Sequence, residues 1–422
     1  MARAGRDRRA GDRGPRRGPA AYLAYWRAEA GSIRASLAAL AVGLGATLVA
    51  GTVLAAAADR IAVVPGLLAL IPAAIGMRGS TFGAFGSRLS TGILTGEYRP
   101  GALRGWLGRQ VRAVAVLSVV SSVQAGLLAW LVASAVGLAT VGPLPLVAVS
   151  LLGGLAASVV LLVVVLGLAR RSSRRGWSLD DVAAPVVSAT GDLVTLPALL
   201  AATTVLDLGR GTADAVGGAG LLLGAALVVL GVRDRDPRIR RLLRESLAVL
   251  TVAVGVSVLA GVAIEARLEG RFAVAALLVM LPPFVAKCGA LGGMLASRLS
   301  SKLHVGTLVP SRWPAAPARL DLSLTVLFAA VTFTGVGASA WLAATLVPGV
   351  EPLPVLTSLA VALLAGAFAV PILSVVAYTA ATVSFRHGYD PDNHGIPIVT
   401  ATMDLAGVLC LVAAVTLLQV GG

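Results

Sequence analysis

Residues 145–169 read PLVAVSLLGGLAASVVLLVVVLGLA and residues 36–58 read SLAALAVGLGATLVAGTVLAAAA, and neither run carries a charge. As an α-helix rising 1.5 Å per residue, each is long enough to cross a hydrocarbon layer of about 30 Å. Runs of this kind recur along all 422 residues. Only 13% of the chain is charged and its mean hydropathy is +0.89, whereas a soluble protein carries about 25% charged residues. The sequence therefore predicts an all-α polytopic membrane protein.

The net charge of +15 invites a nucleic-acid reading, so the location of the cations decides. Nine arginines lie in residues 1–34, and no folded basic domain follows them. Such a tail directly before a membrane helix reads as a cytoplasmic anchor facing anionic lipid, and no nucleic-acid partner is expected. Cys288 and Cys410 fall in apolar runs and the three histidines have no ligand-like spacing, so neither a disulfide framework nor a metal cluster is expected. The first apolar run exceeds the roughly 7–15 residues of a signal-peptide core. It also has an internal copy.

A shift of 210 residues places IRASLAALAVGLGATLVAG (33–51) over LRESLAVLTVAVGVSVLAG (243–261). The same shift places residues 71–100 over 281–310 without a gap, pairing Pro72 with Pro282, Gly79 with Gly289, Arg88 with Arg298 and Pro100 with Pro310. A shift of 212 aligns GWSLDDVAAPVVSATGDL (176–193) with GYDPDNHGIPIVTATMDL (388–405). The chain is a duplicated unit.

Each copy has five apolar segments, and a further one at 215–232 has no partner. Parallel copies with an odd number of spans need one extra helix to bring the chain back across the membrane. About 11 transmembrane helices follow, as two parallel five-helix repeats plus a linker helix. The expected layout is a basic cytoplasmic tail (1–34), a first repeat (35–206), a linker with one span (207–240) and a second repeat (241–422). With the N-terminus inside, 29 of the 35 Lys and Arg residues face the cytoplasm, and only Arg60, Arg210, Arg267 and Arg271 lie outside. By the positive-inside rule this is a multi-pass cell-membrane protein with a cytoplasmic N-terminus and an external C-terminus.

Asp192 and Asp404 then lie about nine residues, or about 13–14 Å, into the fifth span of each copy. A carboxylate near the midplane costs roughly 2.5–3.5 kcal/mol on insertion scales and normally faces a protein interior or a wet cavity. In a duplicated protein the two copies of this helix can meet at the pseudo-twofold axis, facing both acids across one pathway. Two adjacent carboxylates need a cation between them or a shared proton, and carboxylates with carbonyls and water suit a hard divalent ion such as Mg²⁺. The structural alternative is an ion pair of each acid with Arg78 or Lys287, although snorkelling toward the inner interface is the favoured expectation for those two cations. Asp180, Asp181, Asp390 and Asp392 are expected to cap helix N-termini. The Gly- and Pro-rich second spans point to close packing or to a broken helix beside a cavity. Arg88 and Arg298 read as interfacial anchors.

The stretches GMRGSTFGAFGSRLSTGILTGE (76–97), ASRLSSKLH (296–304), DPDNHGIPIVTATMDLAG (390–407) and, more loosely, LDDVAAPVVSATGDL (179–193) resemble the MgtE and solute-carrier-41 family of magnesium transporters. The resemblance covers both halves. It implies a five-helix unit whose fifth-helix aspartates line a cation pore at the dimer axis, with two units fused in one chain. It also implies that a backbone carbonyl one turn before each aspartate belongs to the ion site, which places Ser188 with Asp192 and Thr400 with Asp404. Where the family's second helix usually has Gly-Asn, this chain has Gly79-Ser80 and Gly289-Ala290. An arginine-rich tail of about 30 residues stands before the first span in place of the soluble sensor domains of bacterial members, so gating by such domains is not assumed.

The expected function is transport of a divalent cation, Mg²⁺ as the transported ion, by a single chain acting as a pseudo-dimer in lipid. No enzyme activity and no cofactor are expected. A proton-coupled transporter of a small organic solute using the same aspartates is the alternative. A membrane-embedded metal-dependent transferase would need a second acidic motif, and the repeat of SLDDVA reads PDNHGI.

Overall fold

The computed structural model describes residues 19–100, 105–175, 179–234, 236–268, 275–348, 350–388 and 391–420. It is 87% helical, with no strand among the described residues. In chain order the helices are α1 (Pro19–Ala28), α2 (Ala30–Ala56), α3 (Ala58–Val63), α4 (Leu67–Leu94), α5 (Trp106–Ala135), α6 (Pro143–Arg175), α7 (Leu179–Ala202), α8 (Arg210–Val232), α9 (Pro237–Leu268), α10 (Ala275–Val305), α11 (Ala316–Leu346), α12 (Val355–Arg386) and α13 (Pro391–Leu417). Eleven of them, all but α1 and α3, are long and apolar enough to cross a membrane. The chain is an all-α polytopic membrane protein. Pro72, Pro282 and Pro283 lie inside continuous helices, so the second span of each copy is unbroken.

Small residues let membrane helices approach closely, and four glycines here make the duplication visible in the packing. A methyl group at Gly126 would stand 2.8 Å from the Leu146 carbonyl oxygen, and one at Gly337 would stand 2.9 Å from that of Ser358. These contacts correspond at a shift of 211 between α5 and α11 and of 212 between α6 and α12. The other two cross between copies. A methyl at Gly51 would collide with the Val279 carbonyl, and one at Gly261 with the Ala69 carbonyl. Both members of each pair are related by the shift of 210.

The first span of each copy therefore packs on the second span of the other, α2 on α10 and α9 on α4. Each first helix accordingly enters both cores. Val254, Val258 and Val262 of α9 sit among buried residues of α4 to α7, and Leu40 and Ala55 of α2 among those of α10 to α13, while Ala50 and Leu54 of α2 and Ala260 and Ile264 of α9 stay in the core of their own copy. A cross-copy cap reinforces the crossing, since the Glu265 carboxylate accepts hydrogen bonds from the backbone N–H of Gly66 (2.6 Å) and Ala69 (3.1 Å) at the start of α4. The unpartnered helix α8 packs on α5, α6 and α9.

Arg88 and Arg298, expected as interfacial anchors, each reach a polar residue at the start of the third span. Arg88 Nε donates to Gln110 Oε1 on α5 at 3.1 Å, and the Arg298 guanidinium lies 3.8 Å from Asp321 Oδ1 on α11, the residue that a shift of 211 pairs with Gln110. Asp321 is fully buried and also receives Lys302 Nζ at 2.7 Å and the Tyr25 hydroxyl at 2.7 Å. Burial, with that hydrogen bond, pushes the Tyr25 phenol well above its usual range. Of the four acids expected to cap helix N-termini, Asp390 lies outside the described residues, while Asp180 and Asp181 stand in the first turn of α7 and Asp392 in that of α13, with side chains that are not described.

Because Gly51 and Gly261 meet backbone, not flexible side chains, Gly51→Ala and Gly261→Ala are each expected to destabilise the protein by about 1–3 kcal/mol. Thermal melting in detergent checks this, and an unchanged melting temperature for both would contradict the crossing.

Candidate functional site

Asp192 projects from the middle of α7 and is 8% exposed. Asp404 occupies the matching place on α13 and is half-buried. Asp192 feels the charge of the Lys287 ammonium and, more weakly, that of the Asp404 carboxylate. Their helices do not lie flat against one another; α13 instead touches α4 of the other copy. There Gly76 faces Asp404, and a methyl group on Gly76 would stand 3.0 Å from Asp404 Oδ2.

The two acids have different partners. Ser257 Oγ on α9 donates to Asp404 Oδ2 at 2.7 Å. Its counterpart at a shift of 210, Thr47, turns its hydroxyl to its own helix, to the Gly43 and Leu44 carbonyls at 3.0 and 3.1 Å. Asp192 has the charge of Lys287 instead, at a place where the first copy carries Met77. Lys287 is 4% exposed, and its Nζ lies so close to α2 that a methyl on Gly43 would stand 2.6 Å from it. No carboxylate lies within 4.0 Å of it among the described residues.

Snorkelling of the two intramembrane cations is thus corrected. Arg78, at 2% exposure, and Lys287 are both buried in the bundle, because glycines on neighbouring helices, Gly154 and Gly43, leave room for their heads. Arg78 points away from both aspartates toward α5 and α6, so only Lys287 is available to pair with an acid.

Ser188 lies one turn before Asp192 and is exposed. Thr400 lies one turn before Asp404, with its hydroxyl bonded to the Pro397 carbonyl at 3.1 Å and its backbone 3.8 Å from where a methyl on Gly289 would sit. Among the described residues no three His, Cys, Asp or Glu side chains come together. An ion here would have at most two carboxylates, and its remaining oxygen ligands would be carbonyls, hydroxyls and water, the mixture that suits a small, strongly hydrated divalent cation.

The sequence model of the MgtE family, described as a divalent cation transporter, matches residues 71–202 and 281–414. The chain belongs to the MgtE family of divalent cation transporters. No curated protein and no solved structure matches it. The two matched stretches run from the second to the fifth span of each copy, and each includes one aspartate in the middle of its fifth helix, Asp192 in one and Asp404 in the other, so this MgtE protein is a fused two-unit member. The family is one of transporters and not of enzymes, which sets aside the membrane-transferase alternative.

Sequence reading missed Ser257. Its signal was present, since Thr47 and Ser257 are hydroxyls at one repeat position in otherwise apolar helices. Gly76→Ala would crowd Asp404 directly, whereas Gly83 has nothing within 4 Å of its missing side chain. Gly76→Ala is expected to reduce divalent-cation flux in proteoliposomes severalfold, and Gly83→Ala to leave it near the native value.

Proposed function

We propose that this MgtE protein carries Mg²⁺ across the cell membrane along one pathway between its two repeats, with Asp192 and Asp404 binding the ion near the midplane. The observation that carries the reading is the pair itself: one aspartate near the middle of the fifth helix of each family-matched unit, with Asp192 within reach of the Asp404 charge. The backbone carbonyls of Ser188 and Thr400, one turn earlier, complete the ion's shell with water. The single chain works as a pseudo-dimer made of residues 35–206 and 241–422, with 207–240 as the linker and 1–34 as a basic tail against anionic lipid. The positive-inside distribution puts the N-terminus in the cytoplasm and the C-terminus outside.

An aspartate in hydrocarbon is stabilised by a cation passing beside it, and the membrane potential drives that cation by about 2.3 kcal/mol per charge per 100 mV, doubled for a divalent ion. Ser257 orients the Asp404 carboxylate. Lys287 places a positive charge beside Asp192 that any arriving ion must oppose. Membership in a divalent cation family favours this reading over proton-coupled uptake of an organic solute.

In proteoliposomes, Asp192→Asn and Asp404→Asn are each expected to lower Mg²⁺ flux by about tenfold or more, the scale of a lost charged partner. Native flux in the double variant would make both acids structural and end this reading. Lys287→Met, which copies Met77 of the first repeat, is expected to lower the half-saturating Mg²⁺ concentration by about tenfold or more, since even at the dielectric of bulk water a unit charge about 6 Å from a divalent ion opposes it by about 1.4 kcal/mol. Unchanged saturation would show that Lys287 does not oppose the ion.

A further inference from the structure

Arg78 is the group in the bundle that the ion pathway leaves unexplained. It lies on α4 at 2% exposure, and its Nη1 donates to the Ala74 carbonyl of its own helix. Its Nε and Nη2 are buried and have no hydrogen-bond partner, and no carboxylate lies within 4.0 Å among the described residues. The head sits between α5 and α6. A methyl on Gly154 would stand 2.6 Å from Nη2 and 2.9 Å from Ser122 Cβ, so the bare backbone of α6 forms one wall and Ser122 another. One turn before Ser122, on the same face of α5, the Ser118 hydroxyl is also buried without a partner.

The second repeat shows what this space holds when it is apolar. Gly366, the counterpart of Gly154, faces the ring of Phe333, the counterpart of Ser122. Phe333 packs on Phe284, the counterpart of Ala74, with ring centroids 4.9 Å apart. Ser118 and Ser150 answer to Ala329 and Ala362, and Arg78 answers to Cys288. One repeat therefore fills the place with an aromatic pair and the other with a guanidinium and hydroxyls.

A fixed positive charge in a low-dielectric interior is strongly unfavourable without a counter-charge. The unpartnered groups at this place are N–H donors on Arg78 and, one turn along α5, the hydroxyl of Ser118, a set that asks for a ligand that accepts hydrogen bonds and needs no donors of its own. Its charge must balance one guanidinium, and a divalent anion would leave the excess in hydrocarbon. We propose that the first repeat binds a small monovalent anion of halide type, chloride being the obvious one, between Arg78 of α4 and the serine face of α5, at a site separate from the aspartate pair and absent from the second repeat.

The test uses the purified full-length protein in detergent without divalent ions, so its outcome does not depend on which cation is transported. Thermal unfolding is followed in sodium chloride, sodium bromide and sodium gluconate at equal ionic strength. Anything that binds the folded state alone raises its melting temperature in a saturable way, so chloride and bromide are expected to do so relative to gluconate. Arg78→Met is expected to abolish the chloride response whatever its own melting temperature. If Arg78→Met does not fold, Ser118→Ala decides instead: it is expected to raise the half-saturating chloride concentration roughly fivefold, the worth of one hydrogen bond. Equal melting of the native protein in chloride and gluconate overturns the proposal. So does a chloride response that persists undiminished in the variant that folds.

Discussion

Two backbone crossings, Gly51 on Val279 and Gly261 on Ala69, are the contacts on which the rest of the bundle depends. In hydrocarbon the hydrophobic effect no longer drives helices together, so close van der Waals approach through small residues must do it. Each crossing carries part of the first helix of one copy into the core of the other, and separating the copies would open both cores together. The exchange also sets the chemistry around the aspartates. It brings α9, with Ser257, onto α4, with Gly76, so that both reach Asp404 from different copies. It likewise brings α10, with Lys287, against Gly43 of α2, which packs on α7 and its Asp192.

Within that shared frame the copies have diverged in where they keep polarity. The first holds Arg78 and a serine-lined face of α5 where the second holds Phe284 and Phe333. The second holds Lys287 where the first holds Met77, and a buried Asp321 where the first holds the neutral Gln110. Both copies nonetheless keep the same mechanical link, from an arginine of the second span to a polar residue at the start of the third. The charge on Asp321 adds to that link a bond to Tyr25 of α1, while Trp26 donates to Ser323 at 3.1 Å. The short helix ahead of the first span is thereby fastened to the second copy, although it precedes the first in sequence.

The helices were legible because their signal is additive: twenty apolar residues in a row outweigh any local irregularity, and all eleven predicted spans stand in the structure. The duplication was legible for the same reason, through long ungapped registers. What the sequence did not disclose was which copy each helix packs on, because a glycine marks a close approach without naming its partner. The headings of Arg78 and Lys287 were misjudged on the same account. Snorkelling assumes a helix side facing lipid, and both cations lie on sides that bare glycines of neighbouring helices allow to be buried. Of the candidate site, the aspartates announced themselves as charges in apolar helices, whereas Ser257 looked like one more small residue until α9 was seen beside α13.

Under the proposed function, the charge count around the aspartates bears on how fast an ion can pass. Two carboxylates and one ammonium leave the empty site with one excess negative charge, and a divalent cation leaves it with one excess positive charge. Neither state is neutral, so neither is favoured by the full cost of moving charge out of water. Conduction needs binding strong enough to admit the ion and weak enough to release it. Two carboxylates alone would be neutralised by a divalent ion and would hold it in a deep well. A tethered ammonium beside one of them makes that well shallower without removing the attraction that draws the ion in. On this reading the loss of symmetry at position 287 is what turns a pair of ligands into a passage.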